Sequence, residues 1–427
     1  GVVAIVDEVH QLAERVRTAS SPRVGLADVA AAIEALTARG PGFEEFVACA
    51  RAIDEAVRAE LAGAAPGAGE REVVLDPVRW ERLAERIDGL AVAYALLQPA
   101  IDAETGDDPW MTLARSVLRL AEAVATPTVG ADGRSWRVAM ALVDGVQSWV
   151  GLICLDPSPV LGPRIASLGG FVGVSATLQP RAMHETQLGL DPDKTDFVEV
   201  GDPFPPERRQ VLVAPRISTT FADRPKHAPA TAKLLHAAIH AVPGNVAIYT
   251  PSFAMLDDLL QRIPREGRRW VVQSRHMTDA LRTEALAELS SDGDPVVLGA
   301  VLGGIFAEGI DLPPGALSAV IVTGPALPPV GLERTLLQRY WDAGTTEEGR
   351  GFLFASLAPG LTRVVQAAGR LIRRPEDRGV VLLVGRRFRH RRYRALLPAS
   401  FDATVSDDPV GDIRAFFEAS SRESGGG

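Results

Sequence analysis

Gly1-Val2-Val3-Ala4-Ile5-Val6-Asp7-Glu8-Val9-His10 opens the chain and decides how the rest is read. An unbroken apolar run, Val2 to Val6, ends in two carboxylates and then a histidine. Such a run predicts a parallel strand, buried on both faces, that delivers charge at its C-terminal end. Open α/β sheets place ligand chemistry at that end. An aspartate there can help to hold Mg²⁺, and a neighbouring carboxylate can orient an attacking water. Taken alone, Asp7 and Glu8 could equally be solvated residues just past the end of a strand.

In P-loop nucleotide hydrolases such a strand is partnered by a glycine-rich loop ending in Gly-Lys-Ser/Thr. The chain has only three lysines, Lys194, Lys226 and Lys233, and none follows a glycine, so that loop is absent from it. With a first residue that is not Met, the sequence is expected to be the C-terminal part of a longer ATPase.

Length and composition set the outer bounds. A chain of 427 residues predicts two to four domains, and 46% hydrophobic with 23% charged residues is an ordinary globular composition. No apolar run approaches the roughly 18 residues of a membrane span. Cys49 and Cys154 lie far apart and form no metal spacing, which reads as two structural thiols in a reducing compartment. The net charge of −9 argues against a polyanion partner, but its distribution argues for one. Residues 361–400 hold eleven arginines against Glu376 and Asp377. Within them Arg386-Arg387-Phe388-Arg389-His390-Arg391-Arg392-Tyr393-Arg394 interleaves cations with two aromatics. Such a patch binds phosphates electrostatically, or else it is a solvated face that offsets the acidic remainder. The run alone leaves both readings open.

After His10 the pattern becomes helical for over a hundred residues. Apolar positions step by three and four in Leu26–Leu36, Phe43–Val57, Trp80–Ile101 and Trp110–Val124, which predicts a small helical bundle. Ala64–Glu70 reads as a Gly/Ala/Pro linker inside it. Arg134–Leu155 reverts to alternating text with Asp144-Gly145 as a hairpin turn. Phe171-Val172-Gly173-Val174 is then a buried strand ending at Ser175-Ala176-Thr177-Leu178. From about residue 205, apolar strands alternate with helices. The strands are Val211–Ala214, Val246–Tyr249, Trp270–Val272, Val296–Leu298, Ala319–Val322 and Val380–Val384. The helices include Thr231–Ala241, Ala254–Ile263, Thr278–Leu289 and Leu361–Ile372. The alternation predicts an α/β protein with a parallel sheet covered on both faces. The last residues, Ser420 to Gly427, read as disordered.

Each motif is modest by itself, and their joint order is what is specific. DEVH, SATL, NVAIYTPSF, FAEGIDLPPG and QAAGRLIR stand in the order of motifs II to VI of superfamily 2 helicases. The chain resembles the XPD/DinG branch, with Cys154–Ser158, Gly201–Pro205 and Arg339-Tyr340 as further branch-like text. The resemblance implies a partial first RecA-like domain (1–11 and 160–200) interrupted by a mainly helical, Arch-like insertion (12–159) with a β-hairpin near its end. It further implies a complete second RecA-like parallel-sheet domain (201–412) and a tail (413–427).

What the resemblance implies for the site agrees with the chemistry of the residues. Asp7 would hold Mg²⁺, Glu8 would activate the water attacking the γ-phosphate of ATP, and His10 would couple them to Ser175 and Thr177. Arg370 and Arg373, one turn apart on a helix with Gln366 a turn earlier, would face that phosphate, a role suited to the planar guanidinium. Gly309 and Asp311 would sit near the nucleotide, and Ser252 would contact the DNA backbone, as would Arg391, Arg392 and Arg394. The implied activity is ATP-dependent, 5′ to 3′ translocation on single-stranded DNA with unwinding at duplex junctions. The protein would be cytoplasmic and nucleoid-associated in a bacterium, with no membrane partner. The branch often carries an iron–sulfur cluster held by four cysteines between motifs I and II. That interval is not represented, and the two cysteines present cannot supply the cluster. A rival reading is a catalytically inactive nucleic-acid-binding or assembly protein, and a third is a helicase module joined to a nuclease.

Overall fold

The computed structural model describes residues 1–65, 67–97, 108–130, 132–291, 293–310 and 312–424, with side chains to residue 419. Ile101 and the nucleotide-site candidate Asp311 lie outside the described residues. The chain divides into two units. The first comprises Gly1–Ser175, Arg181–Asp196 and Val330–Gly351, and the second Ala176–Pro180, Phe197–Pro329 and Phe352–Gly427.

In the first unit, six strands run in chain order: β1 (Val3–Asp7), β2 (Arg23–Gly25), β3 (Gly69–Glu72), β4 (Arg137–Val143), β5 (Trp149–Cys154) and β6 (Gly170–Val174). β1 pairs in parallel with β6, Val3 opposite Gly170 and Asp7 opposite Val174. The two strands expected to meet across the long insertion therefore do. Gly173 makes room for the turn after β1, because a Cβ there would lie 2.9 Å from Val9 Cγ1. One expectation fails: β1 is not buried on both faces, for Ile5 is 74% exposed and Val172 49%. Among the described strands β6 is its only sheet neighbour, so one face of the pair stays open.

The insertion is helices on a sheet rather than a bundle alone. The helices Leu26–Ala38, Glu44–Leu61, Pro77–Leu97 and Pro109–Ala125 share one core with an antiparallel sheet in the order β2-β5-β4-β3. The seams with steps of three and four residues are the buried faces, as with Trp80, Leu83, Ile87, Leu90 and Tyr94. Asp108 starts the fourth helix: its carboxylate accepts the N–H groups of Trp110 and Met111, and Pro109 occupies the first helical position. The segment read as a linker contributes β3. Asp144-Gly145 is not a two-residue hairpin turn but opens a wider link through the 3₁₀ turn Gly145–Gln147.

The helix Leu332–Ala343, placed by sequence in the second domain, packs with the first unit. Glu333 pairs with Arg17 (2.7 Å) and Arg23 (3.0 Å). The Tyr340 hydroxyl donates to buried Asp156 at 2.8 Å, and Arg134 donates to the Tyr340 carbonyl while lying 4.3 Å over its ring.

The second unit is built on seven strands. β7 (Arg209–Ala214), β8 (Val246–Thr250), β9 (Arg269–Val272), β10 (Val296–Val301), β11 (Ala319–Thr323), β12 (Gly379–Val384) and β13 (Thr404–Val405) form one sheet. Their order is β13-β7-β12-β11-β8-β10-β9, every pair parallel. Strand periodicity sends successive residues to opposite faces. Val211 and Val213 join one core with Tyr249, Phe306 and Leu361. Leu212 and Ala214 join the other with Leu235, Ile248 and Ile413. Ile413 lies on the helix Pro409–Ser424, so the expected tail is helical through Ser424 and packs on the sheet. The helix expected over Leu361–Ile372 ends at Ala368. No helix among the described residues is long and apolar enough to cross a membrane.

Candidate functional site

In the first unit the chemistry gathers where β1 ends. Glu8 takes a left-handed conformation (φ 50°, ψ 42°) and donates its N–H to Asp7 Oδ1 at 2.8 Å. A non-glycine residue in that region is uncommon and marks a backbone held by its surroundings. The turn Val9–Gln11 then buries Val9 and brings His10 back over the strand end. His10 Nδ1 stands 3.1 Å from Glu8 Oε2 and 2.7 Å from Ser175 Oγ, the residue just beyond β6. Burial pushes the His10 pKa down, opposed by the Glu8 charge, which favours the neutral ring at neutral pH. Asp7 is exposed at the mouth of the strand pair.

Sequence reasoning missed His184, which the helix Arg181–Leu188 supplies. It is 6% exposed, and burial together with the nearby His10 lowers its pKa to about 4. Its Nε2 has no hydrogen-bond partner among the described residues. Nothing in the sequence separates it from any histidine on an amphipathic helix.

In the second unit the predicted residues cluster less simply. Gln366 is half-buried on the helix Ala358–Ala368. Arg370 and Arg373 do not share that helix; Arg370 lies in the turn after it and Arg373 beyond. Gly369 ends the helix, and the apolar Leu371 and Ile372 that made it look longer are buried by the loop instead. Arg370 donates through Nε to the Ala307 carbonyl (2.9 Å) and through Nη1 to that of Ile310 (2.6 Å). It thereby clasps the π-turn Ile305–Gly309 that contains the candidate Gly309. Buried Tyr249 donates to the Phe306 carbonyl at 3.0 Å. Burial raises its pKa, and the charges of Arg370 and Arg373 oppose that shift. Arg373 itself is exposed, its backbone N–H held by Asp377.

The remaining candidates divide by use. Thr177 is buried and belongs to the second unit, while Ser175 belongs to the first. Ser252 caps the helix Phe253–Arg262, its hydroxyl accepting from the Met255 N–H. Arg391, Arg392 and Arg394 are exposed on a short helical turn, and Arg394 also donates to the Ala403 carbonyl. Arg391 and Arg392 make no ion pair among the described residues. Phe388 of the same run is fully buried and Tyr393 packs on the core, so those aromatics are anchors for the cations. Cys49 and Cys154 are free and buried.

A parallel sheet, an insertion-bearing strand pair, a DExH turn and two arginines ahead of the next-to-last strand are arranged as in a RecA-like fold. Residues 235–404 match the helicase C-terminal domain family. The chain is similar to helicases of the XPD/DinG type of superfamily 2. It is similar to a probable ATP-dependent helicase of Methanocaldococcus jannaschii, 28% identical over half of this chain and 34% of that protein. It is also similar to the ATP-dependent DNA helicase DinG of Photobacterium profundum, 28% identical over 53% of this chain and 33% of that one. The chain thus spans about a third of the length of these relatives. In fold, a solved XPD helicase aligns over 94% of this chain and 68% of its own, with a TM-score of 0.62 at 17% identity.

Proposed function

We propose that this chain carries the water-activating and arginine-bearing parts of an ATP-dependent DNA helicase that moves 5′ to 3′ along single-stranded DNA. The observation that carries the reading is the junction after β1, where one buried imidazole nitrogen faces both the Glu8 carboxylate and the Ser175 hydroxyl. A base that must sense a change elsewhere needs such a link. Movement of the Ser175 turn alters the hydrogen bond that fixes His10, and with it the position of Glu8.

Within that reading Glu8 accepts a proton from the attacking water, and Arg370 and Arg373 offset charge on the transferred phosphoryl group. Asp7, an exposed carboxylate, suits Mg²⁺, which takes one or two carboxylates and completes its shell with water and phosphate oxygens. Bound there, Mg²⁺ would neutralise phosphate charge. Gln366 and Gly309 lie toward the nucleotide, and Arg391, Arg392 and Arg394 bind the DNA backbone.

The chain contains no Gly-Lys-Ser/Thr loop, so by itself it is expected to bind oligothymidylate without appreciable ATP turnover. DNA-stimulated hydrolysis by the pure chain would overturn this assignment of roles. In a polypeptide that supplies the phosphate loop, Glu8→Gln should keep ATP binding and lose hydrolysis by about 10²–10⁴-fold, the usual worth of a general base. Turnover that survives the substitution would remove Glu8 from the mechanism.

A further inference from the structure

Phe221 is 88% exposed, the one aromatic side chain among the described residues that stands mostly in solvent. A lone surface phenylalanine needs no explanation. This one has a guanidinium beside it and is held on a braced loop. It lies between β7 and the helix Arg224–Ala241. Ser218 and Thr220 donate their hydroxyls to Asp223 Oδ2 at 2.7 and 2.9 Å, and Arg386 donates to the same oxygen at 2.8 Å. Arg387 donates to the Thr219 carbonyl at 3.3 Å. The loop is therefore tied on both sides of Phe221 to the start of the basic run.

The charges nearby are incompletely balanced. Arg386 takes up Asp223, but neither Arg224 nor Arg387 has a carboxylate partner within 4 Å among the described residues. Arg224 carries its guanidinium 5.9 Å from the Phe221 ring centre. It is also close enough to Arg387 that the two like charges disfavour one another, an effect that the more weakly felt Asp258 opposes. Lys226, two residues after Arg224, is exposed. Like charges held together without a paired counter-ion form a site for an anion, and Arg386 and Arg387 make it continuous with the exposed Arg389, Arg391 and Arg392.

We propose that Phe221 is a base-stacking platform for single-stranded DNA, with Arg224 and Arg387 taking the phosphates that flank the stacked base. This rests on the nucleic-acid reading of the basic run and extends it by one nucleotide step. Exposed rings beside cationic tracks bind bases without regard to sequence, since every base has a π-face.

The test is binding of fluorescein-labelled oligothymidylate to the full chain by anisotropy, at several salt concentrations. Phe221→Ala should weaken binding about tenfold, within the range for loss of one stacked base, and leave the salt slope unchanged. Phe221→Leu should weaken it similarly, because area without a π-face does not stack. Phe221→Trp should bind at least as tightly as the parent. An unchanged melting temperature is expected for all three, the ring being in solvent. If Phe221→Ala binds as the parent does while Arg391→Ala/Arg392→Ala binds weakly, the platform is refuted and the basic track stands. If the parent does not bind at all, both fail.

Discussion

Tyr340→Phe removes a single oxygen, and the structure says what that oxygen does. It donates at 2.8 Å to Asp156 Oδ2, a carboxylate only 5% exposed whose other oxygen accepts the Ser158 N–H at 2.8 Å. The ring, its packing on Trp341 and the Arg134 guanidinium above it remain. The substitution therefore isolates one hydrogen bond to a buried charged group, worth about 1.5–3 kcal/mol. In a unit of this size that is a fall of roughly 3–10 °C in the first unit's melting transition. The sign with pH comes from burial, which raises the Asp156 pKa above its unfolded value of 3.8. An acid raised on folding contributes stability below the unfolded pKa that is lost as pH climbs through the folded one. Losing the tyrosine donor raises the folded pKa further, so the deficit of Tyr340→Phe is greatest at neutral pH and narrows as pH is lowered toward 4. Calorimetry of parent and variant at pH 7.5 and 4.5 measures both quantities. Coincident transitions at pH 7.5, or a deficit equal at the two pH values, would refute the reasoning.

Two other expectations concern titration and salt. Because His184 is held down to about 4 from 6.5, it stabilises the fold fully above pH 6.5 and loses that contribution as pH falls toward 4. The amount is about 3 kcal/mol across the window. His184→Gln should accordingly flatten the acid limb of the first unit's stability, measured by urea unfolding between pH 7 and 4.5, and an unchanged limb would show that His184 is not its source. Replacing Arg391 and Arg392 together by Ala should lower the slope of log K against log salt by about 1.4 if each meets one phosphate of a single strand. An unchanged slope would return the run to the role of a solvated face.

What the sequence made legible was set by the physics of each element. The strands of the second unit read clearly because a parallel sheet covered on both sides demands unbroken apolar runs, as in Val246–Thr250 and Gly379–Val384. β2 and β3 were invisible for the converse reason: they are short edge strands of polar text, Arg-Val-Gly and Gly-Glu-Arg-Glu, stabilised by a neighbour rather than by their own pattern. The helix through Gln366 was drawn too long because Leu371 and Ile372 continue an apolar spacing past the glycine that ends it. At the site, Glu8, His10 and Ser175 could be grouped from motif order. His184 could not, for its meaning lies in a tertiary neighbour 174 residues earlier. The placement of Leu332–Ala343 was equally out of reach, since an amphipathic helix does not announce which core it will join.

That helix has a consequence for how this protein can be divided. The backbone passes between its two units at five places: after Ser175, Pro180, Asp196, Pro329 and Gly351. No single cut in the gene separates them. A polypeptide beginning near residue 201 would carry Leu336, Leu337, Tyr340 and Trp341 without the surface that buries them, and one ending there would take Tyr340 from Asp156 and Glu333 from Arg17 and Arg23. Recombination that exchanges one unit for another must therefore carry this short helix along with the unit it packs in.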